Sequence, residues 1–571
     1  MANEHQMPEY QPVPYGSELA FLPIPDDFPV HWPSPEDQRL LWELDTHYVK
    51  PRKALDDVLI KILVDHFLVA CNDVYAYPFK IKSWVVNNSL YGSYAYDLGP
   101  VPEEGIRKYM AILEPVMLNL MDIWETEWLP EIKRHLAYWE AFDLSNASIP
   151  ALLEHWDETI RRQHICWNIR LRLFMPIMLG RDIFHQTYQS IFDGAGSTDG
   201  CAMLLAYGRN TKYDRDLWAL SREVMASPKL YPLVANNPPD AILDLLDDSA
   251  QCHAFKQKLA DLSLIYGKRG ERGTLVSKTI NPAPLLETLQ HYFRQPEDYL
   301  ENQILTWETD RNERLQSVRE KLQGFPQDVR DKFERHLKMT ENANQLRELN
   351  NEWIDVPIMN HFRMIVQEFA CRLIEGGVLE KTEEVYHLTA DDLWKAVAML
   401  PEVLDVRQRI QERQAEEERF AHVTPPAFIG AYPLDAEYTL DPLTLSYINT
   451  EAPEPVEVPG GLGGVPAAPG KVRGRAKLLK DLYDSHKLEP GDIMVVGSLA
   501  PAWTPLFHKA GAVLADIGGV LSHAAVLARE FGIPCVVGFR IGTHLIRDGQ
   551  WLEVDGDKGT VLFLDESAEP A

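Results

Sequence analysis

The sequence has little positive charge, and this shortage argues against one broad class of function. It contains 56 lysines and arginines against 85 aspartates and glutamates, which gives a formal net charge of -29. Nucleic-acid-binding proteins contact the phosphate backbone with basic surface, so this balance argues against such a protein. It fits a protein whose partners are neutral or present basic patches.

Paired cysteines and long apolar runs are also missing. The six cysteines are scattered and form no CxxC pair. We therefore expect no metal site and no disulfide framework, and the spacing indicates a reducing compartment. No uninterrupted apolar stretch reaches about 18 residues, the length that spans a bilayer. The N-terminal MANEHQMPEYQPVPYG does not resemble a signal peptide, so a cytoplasmic location is predicted.

The local signatures of several enzyme classes are absent as well. The sequence contains no HExxH, no GxSxG and no GxGxxG between a strand and a helix. The stretch GVPAAPGKV (464–472) is similar to a phosphate-binding P-loop, but its spacing is one residue too long. Val472 also occupies the place of the magnesium-binding Ser or Thr. We interpret this stretch as a glycine-rich entry to a domain.

Proline content and apolar spacing divide the first part of the chain. Residues 1–38 are rich in proline and are expected to be irregular. Residues 39–420 space their apolar side chains by three and four, which predicts a mainly helical domain. VVNNSLYGSYAY (85–96) is the best candidate for a hairpin there, and RQRIQERQAEEERF (407–420) predicts a charged, solvated helix.

The composition changes after the helical region. Residues 421–470 hold nine prolines and six glycines, which predicts a linker or hinge. Residues 471–571 contain short β segments and one helix, HAAVLAREFG. This pattern predicts a compact α/β domain. The chain is therefore expected to be multidomain, with a large helical domain followed by a small α/β domain.

The stretch GGVLSHAAVLAREFGIPCVVG (518–538) is the most informative in the chain. Gly518 and Gly519 allow a sharp turn after a buried strand, and Ser522 is placed to cap the next helix. His523 then falls in the first helical turn, where unpaired N–H groups and the helix dipole favour an anion. A neutral imidazole is a good nucleophile toward a phosphoryl group. A lone histidine at a helix start more often only packs or caps.

This stretch closely resembles the phosphohistidine signature of the mobile, or swivelling, domain of phosphoenolpyruvate-utilising enzymes. The family includes phosphoenolpyruvate synthase, pyruvate phosphate dikinase, rifampin phosphotransferase and phenylphosphate synthase. The resemblance extends over 465–565, through LEPGDIMVV, PAWTPLF and IRDGQWLEVDGDKGTV. It implies that His523 carries the phosphoryl group, with Gly518, Gly519, Ser522 and Arg529 in the same loop and helix. Leu521 departs from the family, in which many members have Thr.

In this family the swivelling domain moves between a domain that binds the phosphoryl donor and a domain that binds the acceptor. The resemblance assigns only the acceptor-binding domain to this chain. Residues 1–420 show no pattern of an ATP-grasp domain, so MgATP is expected to bind mainly to a partner ATP-grasp subunit. No TIM barrel for pyruvate is expected after residue 565. The helical region is similar to the acceptor-binding part of rifampin phosphotransferase and phenylphosphate synthase. The matching segments are WELDTHYVKP, YGRNTKYDRDLWAL, YGKRG, QLRELN and VLEKTEEVYHLTADDL.

Transfer to an acceptor hydroxyl requires cations for the phosphoryl oxygens and a base for the O–H group. The residues in or near these segments that could serve are Arg209, Lys212, Lys268, Arg269, Arg347, His47 and His361. For each of them a surface or salt-bridge role is an equally good interpretation. Many relatives have His at the position of Lys268, so a catalytic role of that His is not transferable here.

These observations predict one subunit of a split, ATP-dependent phosphotransferase similar to phenylphosphate synthase. His523 would be phosphorylated by the partner and would pass the group to an aromatic hydroxyl, giving an aryl phosphate. Two alternatives stay open. The first is a component of a rifampin-type antibiotic phosphotransferase, and the second is a non-catalytic phosphocarrier or regulatory module.

Overall fold

A computed structural model describes most of the chain. The described residues are 19–21, 24–44, 52–76, 81–94, 103–192, 204, 212–263, 282–420, 423, 425–426, 428–433, 456–479, 482–497, 499, 501–516, 523–539 and 542–564.

The first part of the chain is mainly helical, as predicted. Its α-helices are α1 (Asp57–Leu68), α2 (Glu103–Leu118), α3 (Leu120–Ile123), α4 (Leu129–Glu140), α5 (Ile149–Arg172), α6 (Phe174–Ile191), α7 (Lys212–Met225), α8 (Leu230–Asn236), α9 (Pro239–Leu245), α10 (Ala250–Leu262), α11 (Ala283–Phe293), α12 (Tyr299–Leu322), α13 (Gln327–Asn350), α14 (Val356–Glu375), α15 (Ala390–Ala398) and α16 (Arg407–Phe420). π-helical turns at Val69–Val74, Trp124–Trp128 and Asn351–Asp355 extend or join some of them.

Helix α14 shows why these segments become helices. Its apolar residues recur at three and four, and Phe362, Val366 and Phe369 are fully buried against α1, α5 and α15. The helix ends at Gly376, and Gly377 follows with φ +73°, a conformation that glycine adopts without steric cost. The helix therefore stops at this glycine pair.

A small antiparallel sheet accompanies the helices. Its strands are β1 (Leu19–Phe21), β2 (Leu41–Leu44), β3 (Ile81–Val86), β4 (Ser89–Tyr94) and β5 (Phe428–Pro433), in the order β1-β5-β2-β4-β3. The predicted hairpin is confirmed as β3 and β4, in which Val86 pairs with Ser89. Asn87 and Asn88 form the turn with φ +48° and +58°, left-handed values that asparagine tolerates.

The charged helix α16 is only partly solvated. Ile410 is buried, and Arg409 and Arg413 form ion pairs with Asp392 on α15 at 2.6 and 3.2 Å. Glu417, one turn after Arg413 on the same face, pairs with Lys53. The helix therefore packs on the helical region through one narrow face and exposes the rest.

The C-terminal part is an α/β domain built on one sheet. Its strands are β6 (Val456–Val458), β7 (Gly461–Gly463), β8 (Val465–Ala468), β9 (Lys471–Leu479), β10 (Ile493–Val496), β11 (Ala512–Ala515), β12 (Cys535–Val537), β13 (Trp551–Asp555) and β14 (Thr560–Phe563). They are ordered β6-β7-β14-β13-β9-β10-β11-β12-β8, with β9 to β12 parallel. The helices are α17 (His523–Phe531) and α18 (Gly542–Leu545).

The central strands are buried on both faces, which explains their uninterrupted apolar sequences. Met494 and Val513 face a cluster that includes α17, whereas Val495 and Leu514 face a second cluster with β13 and β14. GVPAAPGKV folds as β8 and the start of β9, so no helix follows it as a P-loop would require.

The predicted linker, 421–470, contains strands at both of its ends. β5 pairs with β1 and β2 in the first sheet, and β6 to β8 belong to the second sheet. Residues 434–455 between them lie outside the described residues. In the described part of the chain, no helix is long and apolar enough to cross a membrane.

Candidate functional site

His523 is the first residue of α17, in a strand–helix–strand unit. Strand β11 leads through residues 516–522 into α17, and the chain returns to β12, which pairs parallel to β11. Val496 of β10 lies opposite Ala515 of β11, so both strands end at the same edge of the sheet. The helix therefore starts at the carboxyl ends of parallel strands, a frequent place for ligand sites in α/β folds.

Small buried residues hold α17 against the sheet. Ala524, Ala525 and Ala528 are almost fully buried and share a cluster with Val513 and Val537. Because alanine has only a methyl group, the helix axis lies close to the strands. His523 precedes this buried run, so its backbone belongs to the first turn, where N–H groups lack helical partners. This placement agrees with the sequence analysis.

Asp516 is a buried carboxylate at the end of β11 that the sequence analysis missed. Its side chain is only 6% exposed. It accepts hydrogen bonds from the backbone N–H of Thr543, at 3.1 and 3.2 Å, and from the Thr543 hydroxyl. A Cβ atom on the adjacent Gly542 would lie 2.8 Å from Asp516 Oδ1. Asp516 thus joins the end of β11 to helix α18, directly before the segment that leads to His523. In the sequence, the position of Asp516 directly after an apolar strand could have indicated this residue.

Arg529 lies in the last turn of α17, six residues after His523. Its guanidinium donates a hydrogen bond to the carbonyl of Ala467 on β8. This contact anchors the helix to the edge strand of the sheet. Gly518, Gly519 and Ser522 lie outside the described residues.

His361 is the predicted acceptor-site residue whose side chain the structure describes. It lies on α14, partly buried, with its ring stacked on Trp139 at 5.5 Å and 15°. Burial lowers the pKa of His361, and Glu140 partly opposes this effect. The imidazole is therefore neutral at neutral pH, the form in which it can accept a proton.

Two further histidines lie on α4 and α5, near His361. Nδ1 of His155 shares a hydrogen bond with the Tyr138 hydroxyl at 2.9 Å, and its ring stacks on Phe142 at 3.7 Å. His135 accepts from Arg162 at 2.9 Å. Burial, followed by the charge of Arg162, lowers the pKa of each histidine to about 4. The helical region thus holds neutral imidazoles among aromatic rings.

Of the other predicted acceptor residues, the structure describes the backbone position of two. Lys212 is the first residue of α7, and Arg347 lies on α13, which packs against α6. Arg209, Lys268, Arg269 and His47 lie outside the described residues. Among the residues that the structure describes, no group of three or more His, Cys, Asp or Glu is placed to hold a metal ion.

The comparison with protein families decides the identity of the α/β domain. Residues 488–559 match the family model described as PEP-utilising enzyme, mobile domain. The matched range covers β10 to β13, α17 and His523. The chain carries a PEP-utilising enzyme mobile domain. We use mobile domain from here for residues 456–571.

The mobile domain is only part of the similarity to curated proteins. The chain is 33% identical to chondramide synthase from Chondromyces crocatus over 564 residues. The aligned region covers 96% of this chain and 14% of that protein. It is 34% identical over 200 residues to rifampicin phosphotransferase from Bacillus subtilis, covering 35% of this chain and 21% of that protein. It is 27% identical over 359 residues to the prodigiosin synthesizing transferase of Serratia marcescens, covering 60% and 38%. The chain therefore spans less than half the length of these relatives.

Proposed function

We propose that this chain carries a phosphoryl group on His523 and delivers it to an acceptor held by the helical region. The observation that carries the proposal is the position of His523 as first residue of α17 inside the matched mobile domain. Relatives named as phosphotransferases support the reaction class. The proposed donor is MgATP on a separate ATP-grasp subunit.

In the first half-reaction an imidazole nitrogen of His523 attacks a phosphoryl group of ATP. The N–P bond forms at the β-phosphorus while the bond from that phosphorus to the oxygen of AMP breaks, so that AMP leaves and the γ-phosphoryl group remains attached to the transferred one. The N–H groups of the α17 first turn favour the added negative charge. With water as the acceptor of the remaining phosphoryl group, the other products are AMP and phosphate. Among the described residues of this chain, no cluster of His, Cys, Asp or Glu is placed to hold Mg²⁺, and Mg²⁺ is assigned to the partner subunit together with ATP.

In the second half-reaction the N–P bond breaks and an O–P bond to the acceptor hydroxyl forms. A base must take the hydroxyl proton, and His361 is suited because burial keeps it neutral. We propose a phenol-type acceptor, which gives an aryl phosphate. Because the donor and the acceptor bind in separate sites, each site can close and exclude water during its own half-reaction.

A rifampin-type acceptor is the second candidate, because several of the similar proteins bear the name rifampicin phosphotransferase. The two candidates share the carrier step and differ in the size of the acceptor. A panel of phenols and rifampicin, offered to protein that already carries the label, separates them. Release of label to no compound of either class would favour a non-catalytic phosphocarrier.

The carrier step is tested with ATP labelled at the β-phosphate and a candidate ATP-grasp subunit. We expect the wild-type chain to acquire an acid-labile, alkali-stable label, as a phosphohistidine does. The His523→Ala variant should acquire none, whereas His486→Ala, which removes an exposed histidine of the same domain, should label normally. Labelling of His523→Ala at the wild-type level would refute the proposal.

A further inference from the structure

The mobile domain contacts the helical region through a small polar surface on α11. The Lys509 ammonium lies 2.9 Å from Oε1 of Glu287 on α11. One turn further along α11, the ring of His291 stacks on His508 at 4.0 Å and 27°. His508 in turn packs edge-on against Phe531, the last residue of α17, at 4.7 Å. We call Glu287, His291, His508, Lys509 and Phe531 the docking face.

The docking face is closed to solvent at its centre but has no apolar core. Glu287 and Lys509 keep only 18% and 28% of their side chains exposed. Oε2 of Glu287 is buried without a hydrogen-bond partner among the described residues. The apolar clusters of the described chain stay on one side or the other: Leu285 and Leu289 of α11 belong to a cluster of α7 to α11, whereas Phe507 belongs to a cluster of the mobile domain.

These properties suit an interface that forms and dissociates in every catalytic cycle. A partly exposed ion pair contributes about 0–1 kcal/mol, and ring stacking adds about 0.5–1.5 kcal/mol. Such an interface orients one domain on another without holding it permanently. A shared apolar core would oppose dissociation far more strongly.

We propose that the docking face is the surface on which the mobile domain docks to deliver its phosphoryl group to the acceptor. The proposal rests on the proposed function and adds to it the residues through which the mobile domain binds the acceptor-binding helical region. Helix α11 belongs to the helical region, and it follows the segment containing Lys268 and Arg269 directly in sequence. Docking on α11 therefore places the mobile domain against the helical region, which holds the acceptor in the proposed function.

The docking face and the phosphoryl carrier lie at opposite ends of α17. Phe531 is eight residues after His523, which corresponds to about 12 Å along an α-helix. The docking contacts thus engage the end of the helix remote from His523. Changes in the docking face should consequently alter the position of the domain without changing the chemistry of the imidazole.

A zero-length carbodiimide cross-link tests the docking in the full chain without any substrate. We expect an amide between Lys509 and Glu287, identified by mass spectrometry of the digested protein. The exposed Lys258–Glu223 pair, 2.6 Å apart within the helical region, is the internal positive control. Lys509→Arg keeps the charge but removes the reactive amine, and should abolish only the first cross-link. Formation of the Lys258–Glu223 link alone in the wild type would overturn the proposal.

Charge reversal then tests the role of the docked state. We expect Lys509→Glu and Glu287→Lys each to slow the discharge of phosphorylated His523 to the acceptor by about three- to tenfold, whereas charging from the donor keeps its wild-type rate. The double exchange should recover to within about twofold of wild type, because the ion pair is restored with reversed polarity. Lys258→Glu serves as the charge-matched control and should change neither rate.

The two experiments separate the inference from the proposed function. Slower charging with unchanged discharge in Lys509→Glu would show that this pose serves the donor, and would overturn the inference while leaving the carrier role of His523 intact. If His523 accepts no label, the proposed function fails, but the Lys509–Glu287 cross-link still reports whether the domains dock in this way.

Discussion

Asp516 is the residue that most directly connects the fold to the proposed carrier loop. A buried carboxylate is tolerated only when hydrogen bonds replace its lost hydration, and Thr543 supplies both a backbone and a side-chain donor. The donors hold the end of β11 against α18, and the chain then enters the segment that leads to His523. Asp516 thus acts as a positioning residue in our interpretation.

The Thr543→Val substitution should therefore destabilise the mobile domain. It keeps the shape of the side chain but removes the hydroxyl donor to Asp516, at an expected cost of about 1–3 kcal/mol. Urea unfolding followed by circular dichroism measures the change. Thr309→Val, which removes an exposed hydroxyl bonded to the Leu305 carbonyl on α12, is the control and should cost much less. Equal costs for the two variants would contradict the role of Asp516.

The buried histidines of the helical region predict how stability depends on pH. His135 and His155 have folded-state pKa values of about 4, below the ordinary value of 6.5, because they are buried near Arg162. The unfolded chain therefore binds protons at a pH at which the folded chain does not. Their contribution is fully present above pH 6.5 and is lost as the pH falls from 6.5 toward 4.

We expect the free energy of unfolding of the helical region to be lower at pH 5 than at pH 7. The His155→Gln variant should show a smaller difference between the two pH values, because one titrating group is removed. Parallel urea titrations at both values measure the effect. A variant with the full wild-type pH dependence would exclude His155 as a contributor.

At the scale of elements, β5 connects distant parts of the sequence. It pairs with β1 and β2, so residues near 430 complete a sheet whose other strands lie before residue 95. The pairing depends on Gly430, which has φ +99° and packs against the Leu40 carbonyl. Local periodicity predicted the β3–β4 hairpin, because its turn and both strands are adjacent in sequence. It missed β5, because long-range pairing leaves no local pattern.

Gly430→Ala should disrupt this sheet. A Cβ atom would lie 1.9 Å from the Leu40 carbonyl oxygen, and alanine would also be strained at this φ. We expect a loss of at least about 2 kcal/mol in the free energy of unfolding of the helical region. Gly324→Ala is the control, since its nearest contact would be 3.7 Å away at the end of α12. A similar small effect at both sites would argue against the β5 pairing.

At the scale of the whole molecule, the apolar clusters of the described residues do not combine the helical region with the mobile domain. The clusters around α5 and α14 and around α7 and α11 contain only residues of the helical region. The two clusters of the α/β sheet contain only residues of the mobile domain. Each part therefore has a core of its own, and the contacts across the docking face are polar or aromatic.

The mobile domain should accordingly fold by itself, provided that its first strands are present. A fragment of residues 456–571 is expected to unfold cooperatively, whereas 471–571 should be much less stable. The shorter fragment lacks β8, which pairs with β12, contributes Ala467 and Ala468 to the core, and accepts the hydrogen bond of Arg529. Thermal unfolding of both fragments, followed by circular dichroism, checks this. Equal melting temperatures would place the boundary at residue 471 instead.

The sequence by itself determined the features that depend on neighbouring residues. Helical periodicity gave the helices of the first region, glycine and serine before an alanine-rich run placed His523 at a helix start, and the motif GGVLSHAAVLAREFGIPCVVG identified the mobile domain. Only the tertiary structure revealed the Asp516–Thr543 contact, the strand β5 and the docking of Lys509 on Glu287. Each of these joins residues that are far apart in the chain, and such partners are chosen by packing and charge complementarity, which no local pattern records.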